Sequence, residues 1–278
     1  MMSIYQETAS RPPYGDSYDR IYLGETLQAL GYDFTYIPQT LSTMDYARGF
    51  GRLPAVILTD HQTKGIGRER RVWHDTVGCS VLLSAAVSIP DSKIGVFSDL
   101  VGLHVYNAVR DISRNSGVKI KWPNDIVHQD RKLGGILVEN RYDERQYVGT
   151  TVGIGINVHY AEQELKQYDV DYEATSADIV AGMPLSRQEL VIAILRGILP
   201  LTSLVGTLAD ESPEMERLNE QWRQASSFLY QNIVIFSDTT HKTGRVIDTK
   251  IGEGILLASG NQREWINRFE SDMKVRKQ

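Results

Sequence analysis

A glycine-rich segment followed at once by arginines and a tryptophan is the first candidate for chemistry in this sequence. Residues 62–73 read QTKGIGRERRVW. Backbone N–H groups of such a loop can line an anion, and arginine can hold a carboxylate or phosphate with paired hydrogen bonds. Trp73 adds an aromatic face on which a base could stack. The segment lacks the Lys-Ser/Thr pair of a P-loop and the third glycine of the dinucleotide fingerprint. It therefore predicts another kind of anion site, with a solvated basic loop as the alternative.

A second candidate lies at residues 119–140, which read KIKWPNDIVHQDRKLGGILVEN. Two apolar runs, the first ending at Trp122 and the second resuming at Ile136, flank a polar stretch that contains turn-forming residues. Proline pushes the residue before it towards an extended conformation, and a double glycine lets a ligand or another backbone come close. The pattern predicts a hairpin that presents Lys132 beside this glycine pair. A solvated hairpin tip is the alternative.

The third candidate is an apolar strand at residues 147–158, which reads YVGTTVGIGINV. Glycines at alternate positions would leave one face of the strand bare, because alternate residues of a strand share a face. A flat ligand could lie against that face, next to Asn157. Tight packing of a helix onto the same face is the alternative.

Composition limits the classes of protein to which this chain can belong. The chain has 278 residues, of which 41% are hydrophobic and 23% charged, and its formal net charge is −5. This balance predicts a soluble protein with a sizeable core and does not favour a broad nucleic-acid-binding face. A single cysteine, Cys79, rules out an internal disulfide, and the histidine spacing predicts no zinc or iron site. The apolar segment 191–201 is interrupted by Arg196 and is predicted to be too short for a membrane span. We therefore predict a cytoplasmic protein without a membrane partner.

Hydrophobic periodicity predicts the elements that must position these segments. A further short helix is predicted to begin near Asp45, with Ser42 or Thr43 as its N-cap. Residues 1–19 are polar and are predicted to be loosely structured. From about Asn232 the pattern changes to short strands and turns, which predicts a small β-module. The other predicted helices cover residues 21–30, 98–116, 185–204 and 215–225, and the other predicted strands cover 33–37, 55–59 and 79–89.

In combination and order, these motifs resemble the biotin protein ligases, also called holocarboxylase synthetases. The resemblance runs from about Tyr36 to the C-terminus. It implies a mixed α+β fold with a central mixed β-sheet flanked by helices, a catalytic domain like that of class II aminoacyl-tRNA synthetases, and a small C-terminal SH3-like β-barrel. The implied domains are an N-terminal extension at 1–35, a catalytic domain at 36–228 and the C-terminal domain at 229–278. The motifs are Ser42-Thr43, residues 62–68 with Arg71 and Trp73, residues 121–125, residues 132–137 and residues 153–157.

The resemblance implies a two-step ligation. The carboxylate of biotin attacks the α-phosphate of ATP, which gives biotinyl-5′-AMP and pyrophosphate. A lysine of a biotin carboxyl carrier domain, part of a carboxylase, then accepts the biotinyl group as an amide. Bringing two anions together requires fixed cations, so positioning and electrostatic stabilisation supply most of the catalysis.

The same resemblance assigns roles at the biotin end of the site. Ser42, Thr43 and Gln62 would hydrogen-bond the neutral ureido ring of biotin. Lys132 would contact the carboxylate of biotin and the bridging phosphate region. Arg68 would lie on the loop that folds over biotin, and it is the second predicted catalytic residue beside Lys132. The full predicted biotin-binding set is Ser42, Thr43, Met44, Gln62, Gly65, Ile66, Gly67, Arg68 and Lys132.

At the nucleotide end, Arg71 and Trp73 would meet the triphosphate and adenine, and Asn124 and Asn157 would contact phosphate and adenine. Asp125 would help to hold Mg²⁺, which proteins bind largely through phosphate oxygens and water, so no protein-only metal cage is predicted. The full predicted ATP-binding set is Arg71, Trp73, Asn124, Asp125, Lys132 and Asn157.

The chain departs from the family pattern at two positions. Ile66 stands where the family usually has arginine, which removes one positive charge, and Met44 stands where asparagine is frequent. Only about forty residues precede the Ser-Thr motif, too few for a helix-turn-helix module, so a monofunctional ligase without DNA binding is predicted. A homodimer is left open. The alternatives are a lipoate or octanoate ligase of the same fold, and a biotin-sensing homologue that does not transfer biotin.

Overall fold

The structure is a computed structural model that describes residues 16–166, 173–236, 241–267 and 274–277. The part described comprises a seven-stranded sheet, a two-stranded ribbon, a five-stranded sheet and helices that pack against the larger sheet. Most of the loosely structured stretch predicted at residues 1–19 lies outside the described residues. Of the final four residues in that stretch, Asp16 and Tyr18 are well anchored, contrary to the prediction, as described below.

The central sheet is mixed, as predicted. Its strand order is β1-β2-β5-β9-β8-β7-β6, with β1 and β2 parallel and the other neighbouring pairs antiparallel. Strands β2, β5 and β9 form its buried middle, since every residue of β5, the first five residues of β2 and most residues of β9 are buried. The strands up to this point are β1 (Asp33–Thr40), β2 (Ala55–Gln62), β3 (Gly65–Ile66), β4 (Val72–Trp73), β5 (Ser80–Val87), β6 (Val118–Lys121), β7 (Asp125–His128), β8 (Arg131–Asp143) and β9 (Gln146–Asn157).

The two longest helices, α3 (Ile94–Ser113) and α6 (Arg187–Thr207), form the second layer of the core, and the local sequence sets where each one begins or ends. The helices are α1 (Arg20–Ala29), α2 (Thr43–Arg48), α3 (Ile94–Ser113), α4 (Glu162–Leu165), α5 (Ala177–Ala181), α6 (Arg187–Thr207) and α7 (Pro213–Ala225). Helix α6 begins where Ser186 caps the N–H of Glu189, as the spacing of the two residues predicts. Helix α3 ends at Ser113, three residues before the predicted end at residue 116, because its C-cap Arg114 has a left-handed φ of 51°.

Helix α6 is longer than the apolar run recognised in the sequence. By length and composition it could cross a membrane, and it is the one helix of the described residues for which this holds. Its apolar residues nevertheless have a partner within the protein, because Val191, Leu195 and Ile198 are almost completely buried in the core. Core packing therefore accounts for its apolar character.

The C-terminal strands form a separate antiparallel sheet in the order β13-β12-β11-β10-β14. This agrees with the predicted β-module, while its closure into an SH3-like barrel and the domain boundaries remain predictions. The sheet is joined to the helices by buried hydrogen bonds, such as Trp222 Nε1 to Thr249 Oγ1 at 2.9 Å and Ile251 N to Asn219 Oδ1 at 2.9 Å. Its strands are β10 (Asn232–Phe236), β11 (His241–Lys250), β12 (Gly254–Ser259), β13 (Gln262–Ile266) and β14 (Lys274–Lys277).

The predicted single hairpin at residues 119–140 is wrong. Strands β6, β7 and β8 form a three-stranded meander, and the polar stretch read as one turn contains the whole of β7. The tight turn lies at Gln129 and Asp130, which have φ values of 51° and 61°. Such a primed turn suits the twist of adjacent strands. Asp125, Lys132 and the glycine pair therefore lie on strands, which hold side chains more firmly than a loop does.

Candidate active site

The sequence-predicted residues surround a single cavity of about 480 Å³, within the usual range for small-molecule sites. It lies over the face of β8 and β9, beneath the ribbon of β3 and β4. Of the predicted binding residues, two do not line the cavity: Ser42 and Gly65. The predicted residues that do line it are Thr43, Met44, Gln62, Ile66, Gly67, Arg68, Arg71, Trp73, Asn124, Asp125, Lys132 and Asn157. The structure thus brings them together, and their individual roles remain predictions.

One end of the cavity is neutral and hydrogen-bonded. The backbone N–H of Thr43 donates to Gln62 Oε1 at 2.7 Å, and the Thr43 hydroxyl donates to the same oxygen at 3.0 Å. The hydroxyl of Ser84, on β5, donates to Thr43 Oγ1 at 2.8 Å. Because Gln62 Oε1 already accepts two hydrogen bonds, the amide NH₂ is the group that Gln62 can offer to a ligand. This end therefore presents a donor whose orientation is fixed by two neighbours.

Sequence analysis missed Ser84. A small polar residue inside an apolar strand was the only signal, and the same pattern is common in cores where the hydroxyl bonds a nearby carbonyl. Ser84 is fully buried, so its hydroxyl must find a partner within the protein. Its contact with Thr43 places it in the support of the neutral end.

Ser42 has the predicted backbone role but not the predicted hydrogen bond. It is the N-cap residue of α2 with extended φ and ψ, and its side chain makes no capping bond. Its hydroxyl is buried and has no hydrogen-bond partner in the protein. An unpaired buried hydroxyl costs free energy, but Ser42 does not line the cavity, so its bond to a bound ligand remains a prediction.

The glycines of β9 leave a bare face that the side chains of Met44 and Trp73 cover, and a flat ligand against this face remains a prediction. A Cβ added at Gly153 would lie 2.5 Å from Met44 Sδ, and one at Gly155 would lie 2.7 Å from the Trp73 ring. Helix α2 supplies Met44, so a helix does cover part of the face. Trp73 and Met44 also line the cavity, so the glycines make room for the walls of a ligand site.

The glycine–arginine segment forms a short two-stranded ribbon. Strand β3 pairs with β4, which sets Gly65 opposite Trp73, and a turn of 3₁₀-helix at Arg68–Arg70 joins them. A Cβ at Gly65 would meet Trp73 backbone oxygen at 2.8 Å, so this glycine is needed for the close approach. Mobility of this ribbon without ligand remains a prediction.

The other end of the cavity carries charge. Lys132 Nζ lies 2.8 Å from Asp125 Oδ1, and Asp125 is 6% exposed. Lys132 Nζ also lies 5.8 Å from the centroid of a Trp73 ring, within cation–π range. Nearby, burial lowers the pKa of Lys121, an effect that Lys132 reinforces and Asp125 opposes.

A segment that sequence analysis did not single out supports Lys132 and Asn157 together. Lys132 N donates to Glu173 O at 2.8 Å, and Thr175 N donates to Lys132 O at 2.8 Å. The side-chain amide of Asn157 donates to Thr175 O at 3.1 Å. Residues 173–175 thus pair with β8 next to the cavity. No motif in the sequence predicts such a long-range pairing.

Asp75 links the ribbon to β2. It lies 2.8 Å from His61 Nδ1 and accepts from Gln62 N at 3.3 Å. Burial raises the pKa of Asp75, and the hydrogen bond to His61 partly offsets that rise. Because Asp75 follows Trp73 by two residues, this contact ties the position of Trp73 to that of Gln62. Sequence analysis missed it as well.

The donors available for a metal are few. The described residues contain no group of three or more His, Cys, Asp or Glu side chains arranged to hold a metal ion. Among the described residues that line the cavity, Asp125 is the one carboxylate. These donors fit a Mg²⁺ ion that is held mainly by the oxygens of a bound phosphate. The absence of a zinc or iron site remains a prediction.

Residues 36–157 match the family described as the Biotin/lipoate A/B protein ligase family. Over 130 residues the chain is 36% identical to Biotin–protein ligase 1, chloroplastic, of Arabidopsis thaliana, covering 44% of this chain and 35% of that protein. It is 31% identical to the bifunctional ligase/repressor BirA of Bacillus subtilis, covering 64% of this chain and 56% of that protein. The chain thus spans between about a third and somewhat over half of these relatives.

The fold resembles solved biotin protein ligases over most of the chain. The ligase of Aquifex aeolicus in complex with biotin and ATP superposes with a TM-score of 0.73 at 20% identity, covering 88% of this chain and 99% of that chain. The ligase of Leishmania major in complex with biotinyl-5-AMP gives a TM-score of 0.57 at 19% identity, covering 84% and 98%. These similarities confirm the predicted fold. Residues 36–157 of this chain are therefore similar in sequence to the Biotin/lipoate A/B protein ligase family, and the chain shares the fold of solved biotin protein ligases.

Proposed function

We propose that this protein is an ATP-dependent biotin protein ligase. It would activate biotin as biotinyl-5′-AMP and transfer the biotinyl group to a lysine of a biotin carboxyl carrier domain. The observation that carries the proposal is one cavity that joins a neutral hydrogen-bonding end at Thr43 and Gln62 to a cationic end at Lys132. The named relatives are biotin ligases, and similar structures hold biotin with ATP or biotinyl-5-AMP, which supports the same function.

The neutral end suits the ureido ring of biotin. A ureido group has one carbonyl acceptor and two N–H donors, so it needs paired partners and no net charge. The amide NH₂ of Gln62 would donate to the carbonyl, while the Thr43 oxygen and the unpaired hydroxyl of Ser42 would accept or donate at the ring edge. Such a site also rejects ligands that cannot pair with its polar groups, because those groups would be buried without a partner.

The charged end suits the first chemical step. An oxygen of the biotin carboxylate forms a bond to the α-phosphorus of ATP, the bond to the β-phosphate oxygen breaks, and pyrophosphate leaves. Both reactants are anionic, so Lys132 would hold the carboxylate beside the phosphate and stabilise the charge that develops between them. Arg68 and Arg71 on the ribbon would add positive charge above the site. Trp73, lying over bare β9 glycines, would form a wall for the nucleotide.

In the second step, the neutral amine of an acceptor lysine attacks the carbonyl carbon of biotinyl-5′-AMP. An amide forms, AMP leaves with the bonding electrons, and the amine loses a proton to solvent. Lys132 would stay near the phosphate and stabilise the leaving AMP. When bound, Mg²⁺ would neutralise phosphate charge, and Asp125 with the phosphate oxygens would hold it.

A lipoate or octanoate ligase is the alternative enzyme, and the family description includes both kinds. An acyl chain of that type needs an apolar tunnel, because it has no polar group along its length. The Ser84–Thr43–Gln62 hydrogen bonds place polar groups where such a chain would end. We therefore favour biotin. A binding protein that senses biotin without transfer is the second alternative.

The acceptor is proposed to be a biotin carboxyl carrier domain in the cytoplasm. A relative from Mycobacterium tuberculosis is called Biotin–[acetyl-CoA-carboxylase] ligase and is 30% identical over 177 residues, which supports this class of acceptor. We predict no DNA binding. Specific, salt-sensitive binding to a promoter fragment would contradict that prediction. A homodimer stays an open alternative.

Incubation with labelled biotin, ATP, Mg²⁺ and a carrier domain tests the proposal. We expect the carrier to gain the mass of one biotinyl group on its acceptor lysine, and no gain without ATP. Competition by lipoate and by octanoate in the same assay separates the enzyme alternatives. Preferential transfer of lipoate would contradict the choice of biotin, and tight biotin binding without transfer would favour the sensor.

A further inference from the structure

A buried ionic cluster lies beside the cavity and takes no part in the proposed chemistry. Its centre is Arg187, the first residue of α6, which is 1% exposed. Its Nη1 group donates to Asp60 Oδ1 at 2.8 Å and to the backbone oxygen of Ser80 at 3.2 Å. The hydroxyl of Tyr36 donates to the other oxygen of Asp60. One arginine therefore ties together the ends of β1, β2 and β5.

The N-terminal segment completes this cluster. Asp16 accepts from Arg187 Nε at 2.8 Å and from the Arg187 backbone N–H at 2.9 Å, and its backbone oxygen accepts from Nη2. Asp16 Oδ1 also lies 3.1 Å from Nε2 of His159, whose Nδ1 lies 2.8 Å from Asp178. The Tyr18 ring lies 4.3 Å from the guanidinium carbon of Arg187. We name residues 16–18 the N-terminal strap.

The strap acts on the same end of the sheet that supplies the site. Asp60 precedes Gln62 by two residues on β2, and His159 follows Asn157 by two residues at the end of β9. The Val158 and His159 N–H groups donate to Cys79 O at 2.9 Å, next to the start of β5. Two residues of extended backbone span only about 7 Å, so a shift at the cluster reaches both site residues.

We propose that Asp16 is a positioning residue: through Arg187 and His159 it fixes the sheet end that places Gln62 for biotin and Asn157 for the nucleotide. The catalytic part of this inference rests on the proposed ligase function. Its physical basis is charge compensation, since a buried guanidinium left with fewer anionic partners is strongly destabilised. Without Asp16, Arg187 would move towards solvent or draw Asp60 with it, and β2 would follow.

The effect should fall on binding and spare the chemical step. Lys132 is not part of the cluster, because Asp125 and residues 173–175 hold it on β8. Loss of the strap carboxylate would therefore raise KM for both substrates while leaving kcat nearly unchanged. Loss of a residue that served global stability alone would not raise KM while leaving kcat nearly unchanged.

Two substitutions test the inference against a matched control in the same segment. Asp16→Ala removes the carboxylate, and Asp16→Asn keeps the shape and one acceptor oxygen but removes the charge. Asp19→Asn is the control, because Asp19 caps α1 through Ile21 and Tyr22 N–H groups and asparagine caps equally well. Each variant is measured by biotin-dependent pyrophosphate exchange and by hydrogen exchange of peptides that cover residues 58–64 and 154–160.

For Asp16→Ala we expect KM for biotin and for ATP to rise about tenfold, which matches the loss of one charged hydrogen-bond partner, and kcat to stay within about twofold. Asp16→Asn should give a smaller rise and Asp19→Asn none. Hydrogen exchange should quicken in both peptides and remain unchanged at β8. Unchanged KM with unchanged exchange would overturn the inference. A uniform loss of protection across the whole sheet would overturn it too, since that indicates a purely structural role.

Failure of the ligase proposal is distinguishable from failure of this inference. If the parent protein transfers no biotin, the hydrogen-exchange comparison still reports whether Asp16 controls the sheet end. Faster exchange confined to the two peptides would then support the strap while the function is rejected. Normal transfer by the parent protein, with no change in either readout for Asp16→Ala, would reject the strap alone.

Discussion

The two ends of the cavity differ in how their polar groups are paired before a ligand binds. At the neutral end, Ser84, Thr43 and Gln62 satisfy one another and hold a donor in place before any ligand arrives. At the charged end, Lys132 is paired with Asp125, and the proposed function requires this contact to be exchanged for one with substrate. Neutral hydrogen bonds can be built in advance at low cost, whereas a lysine left unpaired beside a buried carboxylate is costly. Recognition is therefore preorganised, and the electrostatic part of the site depends on the ligand.

The largest effect should come from the charged end. Lys132→Ala should lower biotin-dependent pyrophosphate exchange about 10²- to 10³-fold, because it removes the cation that stabilises charge between carboxylate and phosphate. Initial rates at saturating biotin and ATP measure this. Lys93→Ala, which removes a lysine paired with Asp210 outside the cavity, is the control and should exchange at the parent rate. Full activity in Lys132→Ala would remove the contrast between the two ends.

A second substitution tests Trp73 as a wall of the nucleotide end. Gly155→Ala would place a methyl group 2.7 Å from the Trp73 ring and force the ring to move. Overpacking of this kind costs about 1–3 kcal/mol, so we expect KM for ATP to rise about tenfold or more. Gly206→Ala on α6 is the matched control, because nothing lies within 4 Å of its added Cβ. An unchanged KM for ATP would show that Trp73 does not form the nucleotide wall.

Ser84→Ala addresses the neutral end with a smaller change. It removes the donor to Thr43 Oγ1 and frees the Thr43 hydroxyl to rotate, so KM for biotin should rise about three- to tenfold. KM for ATP should stay unchanged, because the nucleotide end does not share this hydrogen bond. Initial rates of pyrophosphate exchange, with each substrate varied separately, provide the measurement. Equal weakening of both substrates would mean that the two ends are not independent.

The smallest effect concerns pH and the cluster beside the cavity. Burial alone would lower the pKa of His159, but its hydrogen bonds to Asp16 and Asp178 outweigh burial and raise that pKa to about 9. A raised pKa means that protonated His159 stabilises the folded state fully below about pH 6.5, and that this contribution is lost as pH rises through about 9.

Urea unfolding between pH 6 and pH 10 measures this dependence. His159→Gln should flatten the fall in unfolding free energy over that window. Because His159 links Asp16 to the end of β9, KM for ATP at pH 7 should also rise, by less than in Asp16→Ala. A curve for His159→Gln that is as steep as that of the parent protein would contradict the assignment.

Particular residues show which parts of the site could be predicted from the sequence and which could not. The glycine ribbon, the Lys-Trp-Pro-Asn-Asp stretch and the Gly-x-Gly-x-Asn strand are local patterns, so their place in one site could be predicted from family resemblance. Ser84, Asp75 and residues 173–175 could not, because each acts through a partner distant in the chain. The hairpin at 119–140 was misjudged since a short polar strand such as β7 has weak periodicity and resembles a turn.

By itself, the sequence predicted the mixed α+β fold, the resemblance to a family and most of the residues that line the cavity. These depend on hydrophobic periodicity, on turn chemistry and on short motifs, all of which are written in neighbouring residues. Only the tertiary structure decided that Lys132 rests on Asp125, that Met44 and Trp73 fill the bare face of β9, and that Asp16 anchors the sheet end through Arg187. Such contacts join residues up to 171 positions apart, and no local preference encodes a partner at that distance.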